Sequence, residues 1–264
     1  MVTKRRLRRF FSENLPPVGS QIKLSLEETS HLKKSLRLAP GDHCLVADGA
    51  GREAKAKVVA FLPSDQALLT IEELYDKNST ISGDIFFRLH IALIQKNKME
   101  FLLEKCQELG LDEICPLETD RSTWKLKPEA GKRVMERWRK KSREAVKQSG
   151  SSRLTRIEPV QTLGDALSSL GGEGLTAVFH PGSGGVKFKD WVETVLREKG
   201  AGKVKQLDLF FGPEGGFSNP ELKDFETHAA RAKQKIQYVD LGENILRVET
   251  AVLGVLTALK LLLS

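Results

Sequence analysis

Residues 206–217 read QLDLFFGPEGGF, an apolar run that stops at a turn rich in Gly and Pro. Such a run is typical of a buried parallel strand, and ligands bind beyond the carboxyl ends of such strands. The three glycines allow positive φ and close approach of backbone groups to a ligand, while Pro213 stiffens the turn. Ser218 and Glu221 follow at the spacing of a capping box. A strand, a ligand-facing loop and a helix are therefore expected.

Residues 236–251 repeat this plan, with a predicted strand at 236–241, a turn at 242–244 and a loop leading into an apolar helix that ends near residue 263. Neither loop has the spacing G-x-G-x-x-G or G-x-x-x-x-G-K-[ST], so the usual dinucleotide and phosphate-cradling mechanisms are not indicated. One glycine-rich loop alone is equally typical of an ordinary tight connection. The pair of loops is what points to a ligand site.

The distribution of charge favours nucleic acid as a partner. The net charge is +7 over 264 residues, which are enough for two modest domains. Residues 1–10 carry five Lys or Arg and no acid, and residues 120–156 carry thirteen Lys or Arg against four acids. Such clustering is expected for contacts with phosphates, although either cluster alone is also compatible with a solvated face.

The cysteines and the apolar runs exclude several classes of protein. Cys44, Cys106 and Cys115 show no C-x-x-C spacing and no nearby histidine cluster, so neither a zinc site nor a disulfide framework is indicated. We expect them to be reduced and buried. No apolar run is long enough to span a bilayer, and the basic N-terminus lacks the apolar segment of a signal peptide. A cytoplasmic protein without a membrane partner or a metal is predicted.

Residues 1–78 are predicted to form a small β-rich domain. Strands at 43–47 and 52–61 flank Asp48-Gly49-Ala50-Gly51, a hairpin signal, and another strand is expected at 66–74. A short helix is predicted at 25–37, and the polar residues 76–84 indicate a linker.

Residues 79–264 alternate strands and helices, which predicts an α/β domain with a mainly parallel sheet. Strands are expected at 85–94, 111–116 and 175–180, with helices over 97–110 and 128–148. Trp138 is predicted to lie in a core or an interface, and a base-stacking role is the less favoured alternative. A third glycine-rich loop at 181–185 either lines a cofactor site or is a surface connection.

GPEGGF, followed about thirty residues later by LGENILRVETA, closely resembles the C-terminal signature of the SPOUT-class RNA methyltransferases, specifically the ribosomal RNA small-subunit methyltransferase E family. The segments Glu108-Leu109-Gly110 and Glu136-Arg137-Trp138 are similar to further landmarks of that family. Glu243-Asn244 departs from the pattern, because many members have Pro or Ser followed by a basic residue there. This departure alters the charge expected for the loop and does not affect the resemblance to the family.

The resemblance implies a PUA-like β-barrel over residues 1–78 and a SPOUT methyltransferase domain over 79–264, which ends in a trefoil knot. It implies S-adenosylmethionine as cofactor and N3 of a uridine in 16S ribosomal RNA, within the small subunit, as substrate. It also implies a homodimer, although the C-terminal helix is equally compatible with the core of a monomer. Two other functions stay open: a non-catalytic ribosome-assembly factor, and a methyltransferase acting on a ribose 2′-hydroxyl or on transfer RNA.

The cofactor is expected against the three glycine-rich loops, where backbone groups and aliphatic side chains suit an adenine. The predicted cofactor-binding residues are His180, Pro181, Phe211, Gly212, Pro213, Glu214, Gly215, Gly216, Leu241, Gly242, Ile245, Leu246 and Arg247.

The predicted catalytic residues follow from the imide proton on N3, which must leave during the reaction. Arg247 is the first candidate, because a fixed cation beside an imide anion favours its formation. Glu249 or Glu214 is the candidate proton acceptor, with a helix-start carboxylate as the alternative role of Glu249. The predicted RNA-binding residues are Arg5, Arg6, Arg8, Arg9, Arg37, Arg121 and Ser122.

Overall fold

The chain divides into two units in the computed structural model, which describes residues 7–76, 85–171, 174–182, 184–232 and 235–263. One unit comprises Met1–Ser79 with Arg143–Leu154, and the other comprises Thr80–Ser142 with Thr155–Ser264. The sequence placed a boundary at residue 78 and assigned residues 143–154 to the second domain. Apart from Asp76, the predicted linker lies outside the described residues.

The first unit is built on a five-stranded sheet. Its strands are β1 (Arg9–Phe11), β2 (Gln21–Lys23), β3 (His43–Ala47), β4 (Arg52–Phe61) and β5 (Ala67–Asp76), in the order β1-β3-β4-β5-β2. Asp48 accepts hydrogen bonds from the backbone N–H groups of Ala50 and Arg52, which closes the predicted hairpin. The predicted short helix is α1 (Leu26–Ser30), capped by Ser25 and continued by a π-helical turn at His31–Ser35.

The second unit is built on a parallel sheet, which confirms the predicted α/β class. Its strands are β6 (Phe86–Ala92), β7 (Glu113–Glu118), β8 (Arg156–Ile157), β9 (Gln161–Thr162), β10 (Gly174–Phe179), β11 (Val186–Lys187), β12 (Gln206–Phe211) and β13 (Ile236–Asp240). Their order is β11-β13-β10-β12-β6-β7-β8, and β9 also pairs with β7. Each of these pairings is parallel.

Helices cover both faces of this sheet. They are α2 (Lys96–Leu109), α3 (Pro128–Ser149), α4 (Leu163–Ser168), α5 (Phe188–Gly200), α6 (Asn219–Ala232) and α7 (Val248–Leu263). Apolar residues of α2, α3, α5 and α7 share one core cluster with the sheet, and residues of α4 and α6 share another. Trp138 is fully buried in the first cluster and lies edge-on to Trp124, so its predicted core position is confirmed.

A buried polar network joins β12 to β6 on one face of the sheet. The Oδ1 atom of Asp208 lies 3.0 Å from His90 Nε2 and 3.5 Å from Arg88 Nη1. Gln206 donates a hydrogen bond of 2.8 Å to the other carboxylate oxygen, and the His90 ring stacks on Phe210. Burial lowers the pKa of His90 and outweighs the opposing effect of Asp208, so the neutral ring donates its Nε2–H. These directional contacts fix the position of β12, and therefore of the loop that follows it.

Candidate active site

Three loops of the second unit meet at one edge of the sheet. They follow β12, β13 and β10, which are neighbours in the order β13-β10-β12. Because the strands are parallel, their carboxyl ends lie at the same edge. The loops enclose a cavity of about 230 Å³. The structure thus brings the two turns singled out in the sequence to one place.

The lining of this cavity includes every predicted cofactor residue except Gly215. Gly215 lies in the same turn, with its carbonyl group facing the Arg121 side chain. The cavity also touches residues that the sequence analysis missed, namely Phe179, Val239, Asp240, Asn244, Val248 and Ala251. Most of these positions end a strand or begin a helix, so the predicted element boundaries were the signal that could have found them.

Two glycines allow the loops to pack closely. A β-carbon at Gly216 would lie 2.8 Å from Cε1 of His180, and the φ of Gly216 is +67°. A β-carbon at Gly212 would lie 3.0 Å from the backbone nitrogen of Phe217. Gly216 therefore lets the loop after β12 pack against the loop after β10, and Gly212 lets the loop after β12 turn tightly on itself.

The helix that follows the first loop begins with the predicted capping box. The backbone N–H of Ser218 donates to Glu221 Oε2 at 2.7 Å, and the backbone N–H of Glu221 donates to Ser218 Oγ at 3.4 Å. Asp120, which follows β7, extends this arrangement. Its backbone N–H donates to Glu221 Oε1 at 2.9 Å, and its carboxylate accepts from Ser218 Oγ at 2.5 Å. The capping box is confirmed, and it is tied to a second loop.

Arg121 also holds the glycine-rich loop. Its Nη1 atom donates to the carbonyl oxygen of Gly215 at 2.7 Å and to that of Phe217 at 3.3 Å. The neighbouring Ser122 is buried, and its hydroxyl lies 2.8 Å from the hydroxyl of Thr119. Both predicted RNA-binding residues therefore have hydrogen-bond partners within the protein, Arg121 in the glycine-rich loop and Ser122 within its own turn.

Two charged side chains, Glu214 and Arg247, line the cavity, and Lys98 links Glu214 to Glu249. Lys98 Nζ lies 2.8 Å from Glu214 Oε1 and 3.8 Å from Glu249 Oε1. The hydrogen bond to Glu214 raises the pKa of Lys98. Burial raises the pKa of Glu214, but the hydrogen bond from Lys98 and further contacts outweigh it and hold that pKa below its ordinary value. Arg247 is exposed and lines the cavity.

Glu249 and His180 each present an unpartnered atom. The Oε2 atom of Glu249 and the Nδ1 atom of His180 are buried and have no hydrogen-bond partner in the described part of the chain. Burial and the nearby Arg121 guanidinium lower the pKa of His180, so its ring is neutral at neutral pH. The Oε2 atom of Glu249 is thus a free acceptor one residue beyond Val248, which lines the cavity, whereas Glu214 forms a hydrogen bond with Lys98.

Family comparisons agree with this geometry. The model of an RNA methyltransferase domain matches residues 85–260, and the model of an RNA methyltransferase PUA domain matches residues 25–72. This chain belongs to the RNA methyltransferase family. The resemblance to the ribosomal RNA small-subunit methyltransferase E family, stated above from the two C-terminal motifs, is confirmed.

Relatives of this RNA methyltransferase carry a consistent name. The Ribosomal RNA small subunit methyltransferase E of Bacillus subtilis is 27% identical over 238 residues, which cover 88% of this chain and 87% of the relative. The protein of the same name from Synechocystis is 29% identical and covers 89% of this chain and 71% of the relative. A Neisseria gonorrhoeae enzyme of that name, solved bound to S-adenosyl methionine, is 26% identical with a TM-score of 0.81, covering 97% of this chain and 98% of the other.

The predicted RNA contacts of the first unit differ in their availability. Arg8 and Arg37 are exposed, whereas Arg9 forms an ion pair with Glu53 and only 8% of its side chain is exposed. The Arg9 guanidinium is thus already paired within the protein, and its contact with RNA stays a prediction. Arg5 and Arg6 lie outside the described residues.

The described residues show neither a membrane-spanning helix nor a group of metal ligands. Within residues 7–76, 85–171, 174–182, 184–232 and 235–263, no helix has the length and apolar character needed to cross a membrane. In the same ranges, no three His, Cys, Asp or Glu side chains are grouped so as to hold a metal ion. Cys44, Cys106 and Cys115 are free and buried, and burial raises the pKa of Cys106 to about 12.

Proposed function

We propose that this RNA methyltransferase methylates N3 of a uridine in 16S ribosomal RNA, within the small subunit and in the cytoplasm, with S-adenosylmethionine as the methyl donor. The observation that carries the proposal is the cavity formed by the three loops at the edge of the parallel sheet. Support comes from the relatives that share the name and from the gonococcal enzyme bound to that donor.

The cavity fits S-adenosylmethionine by its chemistry. When bound, this cofactor supplies an electrophilic methyl group on a sulfonium centre. Gly212, Gly216 and Gly242 would offer backbone groups to the edge of the adenine, and Leu241 and Leu246 would cover its faces. Arg247 is the one Lys or Arg that lines the cavity in the described part of the chain, which matches a cofactor without phosphates.

Residues at and near the cavity have separate roles in removing the N3 proton and in stabilising the charge that results. Glu249 accepts the imide proton from N3, because its buried Oε2 atom has no hydrogen-bond partner among the described residues. Glu214 is less suited to accept a proton, since its hydrogen bond with Lys98 helps to hold its pKa below the ordinary value. Arg247 stabilises the negative charge that spreads to the flanking carbonyl oxygens of the uracil. Its exposed position lets it reach a base that enters from the RNA.

The fold and the assembly state complete the proposal. We infer that the sheet of the first unit closes as a PUA-like barrel, and that the loops after β12 and β13 belong to a trefoil knot. We also infer a homodimer formed through α7 and α2, which leave apolar side chains exposed. Leu261 is 74% exposed, Leu262 is 51% exposed, and Phe101 on α2 is 44% exposed. Exposed apolar side chains grouped in this way are typical of an interface.

The proposed reaction is tested with purified protein, S-adenosylmethionine and small ribosomal subunits from a strain that lacks the gene. We expect nucleoside mass spectrometry to show N3-methyluridine in the treated 16S RNA and none in the untreated RNA. A 2′-O-methylated nucleoside would overturn the proposed target atom. Absence of cofactor binding in calorimetric titration would instead favour an assembly factor.

Replacing Arg121 with alanine is expected to weaken S-adenosylmethionine binding about tenfold, which corresponds to about 1.4 kcal/mol. The substitution removes the two hydrogen bonds that hold the carbonyl groups of Gly215 and Phe217, so the free protein must order this loop when the cofactor binds. The affinity is measured by calorimetric titration. Because Arg121 is exposed, the free energy of unfolding should change little.

Arg121→Lys keeps the charge but loses the planar guanidinium. If its affinity for S-adenosylmethionine is close to that of Arg121→Ala, the effect comes from the two hydrogen bonds of the guanidinium and not from its charge. An Arg121→Ala protein with wild-type cofactor affinity and weaker RNA binding would contradict the loop-holding role. That result would restore the phosphate contact predicted from the sequence.

A further inference from the structure

A second cavity of about 450 Å³ lies beside the first half of α3. We call it the α3 cavity. Its floor is apolar and is made by Leu126, Met135, Pro159 and Val160. Gly131 forms part of its wall, and a β-carbon placed there would meet no heavy atom within 4 Å. The volume falls in the range of about 300–1,000 Å³ that is typical of small-molecule sites.

The rim of the α3 cavity is basic. Lys127, Lys132 and Arg139 lie on it, and all three are exposed and have no ion pair with another described residue. Two acids, Glu118 and Glu136, also line the cavity. The carboxylate of Glu118 lies 3.6 Å from Lys125 Nζ, so its charge is already neutralised by a neighbour outside the cavity. With Glu136 counted, three cations still outnumber one acid on the rim, and an apolar floor with such a rim suits a flat, apolar group attached to phosphates.

The α3 cavity opens at the same sheet edge as the candidate active site. Glu118 ends β7, and residues 159–160 lead into β9, which pairs with the end of β7. In the sheet order, β7 is two strands from β12, whose loop lines the active site. At about 4.8 Å per strand, this separation is about 10 Å. A few nucleotides of an unpaired strand bridge such a distance.

We propose that the α3 cavity binds an unpaired nucleotide of the RNA substrate, close in the chain to the nucleotide that is methylated. The base lies on Leu126, Met135 and Val160, and its phosphates contact Lys127, Lys132 and Arg139. This arrangement is how single-stranded RNA is held, with cations along the backbone and a platform under a base. The proposal rests on the proposed function in that RNA is the substrate, and it adds a site that positions the RNA.

The first test fills the cavity. Gly131→Phe places a ring in the space that the base would occupy. Gly200→Phe is the matched control, because a β-carbon at Gly200 also meets nothing within 4 Å and because Gly200 lies away from the cavity lining, at the end of α5. Binding of a fluorescein-labelled, unstructured uridine-rich RNA 12-mer is measured by anisotropy. We expect Gly131→Phe to raise the dissociation constant about tenfold, in line with the loss of one base contact, and Gly200→Phe to leave it unchanged.

The second test removes charge from the rim. Lys132→Ala combined with Arg139→Ala should reduce the slope of log Kd against log salt by about 1.4, because each lost phosphate contact on a single strand accounts for about 0.7. The control pair is Lys223→Ala with Arg231→Ala, two exposed cations on α6. Calorimetric affinity for S-adenosylmethionine should stay within twofold of wild type in every variant, which separates this site from the cofactor cavity.

The outcomes decide the proposal. If Gly131→Phe folds, as judged by circular dichroism, and binds the RNA like wild type, the proposal is overturned. A protein segment would then be the remaining candidate occupant of the cavity. If Gly131→Phe does not fold, the salt slope of the rim variant decides in its place, and an unchanged slope overturns the proposal. If the RNA effects appear but wild-type protein forms no N3-methyluridine on small subunits, the proposed function fails while the RNA site stands.

Discussion

Replacing Arg247 with alanine is expected to lower the rate of uridine methylation by about 10²–10³, the usual effect of removing one group that stabilises charge in a transition state. The cation lines the cavity and is exposed, so it can meet an entering base. Without it, the imide anion of the uracil loses its fixed counter-charge, so deprotonation of N3 becomes costly. The rate is measured under single-turnover conditions as N3-methyluridine formed on small subunits.

The controls separate chemistry from binding and folding. Arg231→Ala removes an exposed cation from α6 and should leave the rate unchanged. Arg247→Lys keeps a positive charge and should recover part of the rate. Calorimetric titration of S-adenosylmethionine with Arg247→Ala shows whether the cation acts on the cofactor instead. Full activity in Arg247→Ala would remove this residue from the catalytic set.

Replacing Asp208 with alanine is expected to lower the free energy of unfolding of the second unit by about 3 kcal/mol, near the upper end of the cost of leaving a buried donor without its acceptor. Asp208 and His90 are fully buried, and the carboxylate also neutralises Arg88. The substitution leaves the His90 Nε2–H without its acceptor and Arg88 with one carboxylate fewer. Urea denaturation followed by tryptophan fluorescence reports on this unit, because Trp124, Trp138 and Trp191 all belong to it.

Two variants sharpen this measurement. Asp208→Asn keeps two polar atoms in place of the carboxylate and loses the charge, so its loss of stability should be intermediate. Asp224→Ala removes an exposed acid from α6 and should change stability by no more than about 0.5 kcal/mol. A loss below about 1 kcal/mol in Asp208→Ala would show that Arg88 and His90 find other partners.

Local signals in the sequence predicted much of the site. The run 206–211 and the capping pair Ser218 and Glu221 gave a strand, a turn and a helix start, and each is present in the structure. Hydrophobic periodicity likewise placed Trp138 in a core. These features depend on neighbours within a few residues, so a single sequence contains them.

Features that depend on distant partners could not be predicted. The sequence has no signal that Asp120 would contact Ser218, about a hundred residues later, or that Arg9 would pair with Glu53. The helices α4 and α5 and the short strands β8, β9 and β11 were missed. Two-residue strands are formed by their partners and have no sequence pattern of their own. Residues 143–154 were assigned to the second domain because a continuous helix gives no sign of a division within it.

The position of β12 has a consequence for how the cavity opens. Both of its neighbours, β10 and β6, are full-length parallel strands, so its amides are bonded on either side. Hydrogen exchange at these amides requires the centre of the sheet to open. The turn after β12 is therefore attached to a strand that opens rarely. The loop after β13 is instead attached to a strand whose outer neighbour, β11, has only two residues. Ile245 in this loop is 86% exposed. We therefore expect the wall formed by the loop after β13 to adjust to an incoming ligand more than the wall formed by the loop after β12.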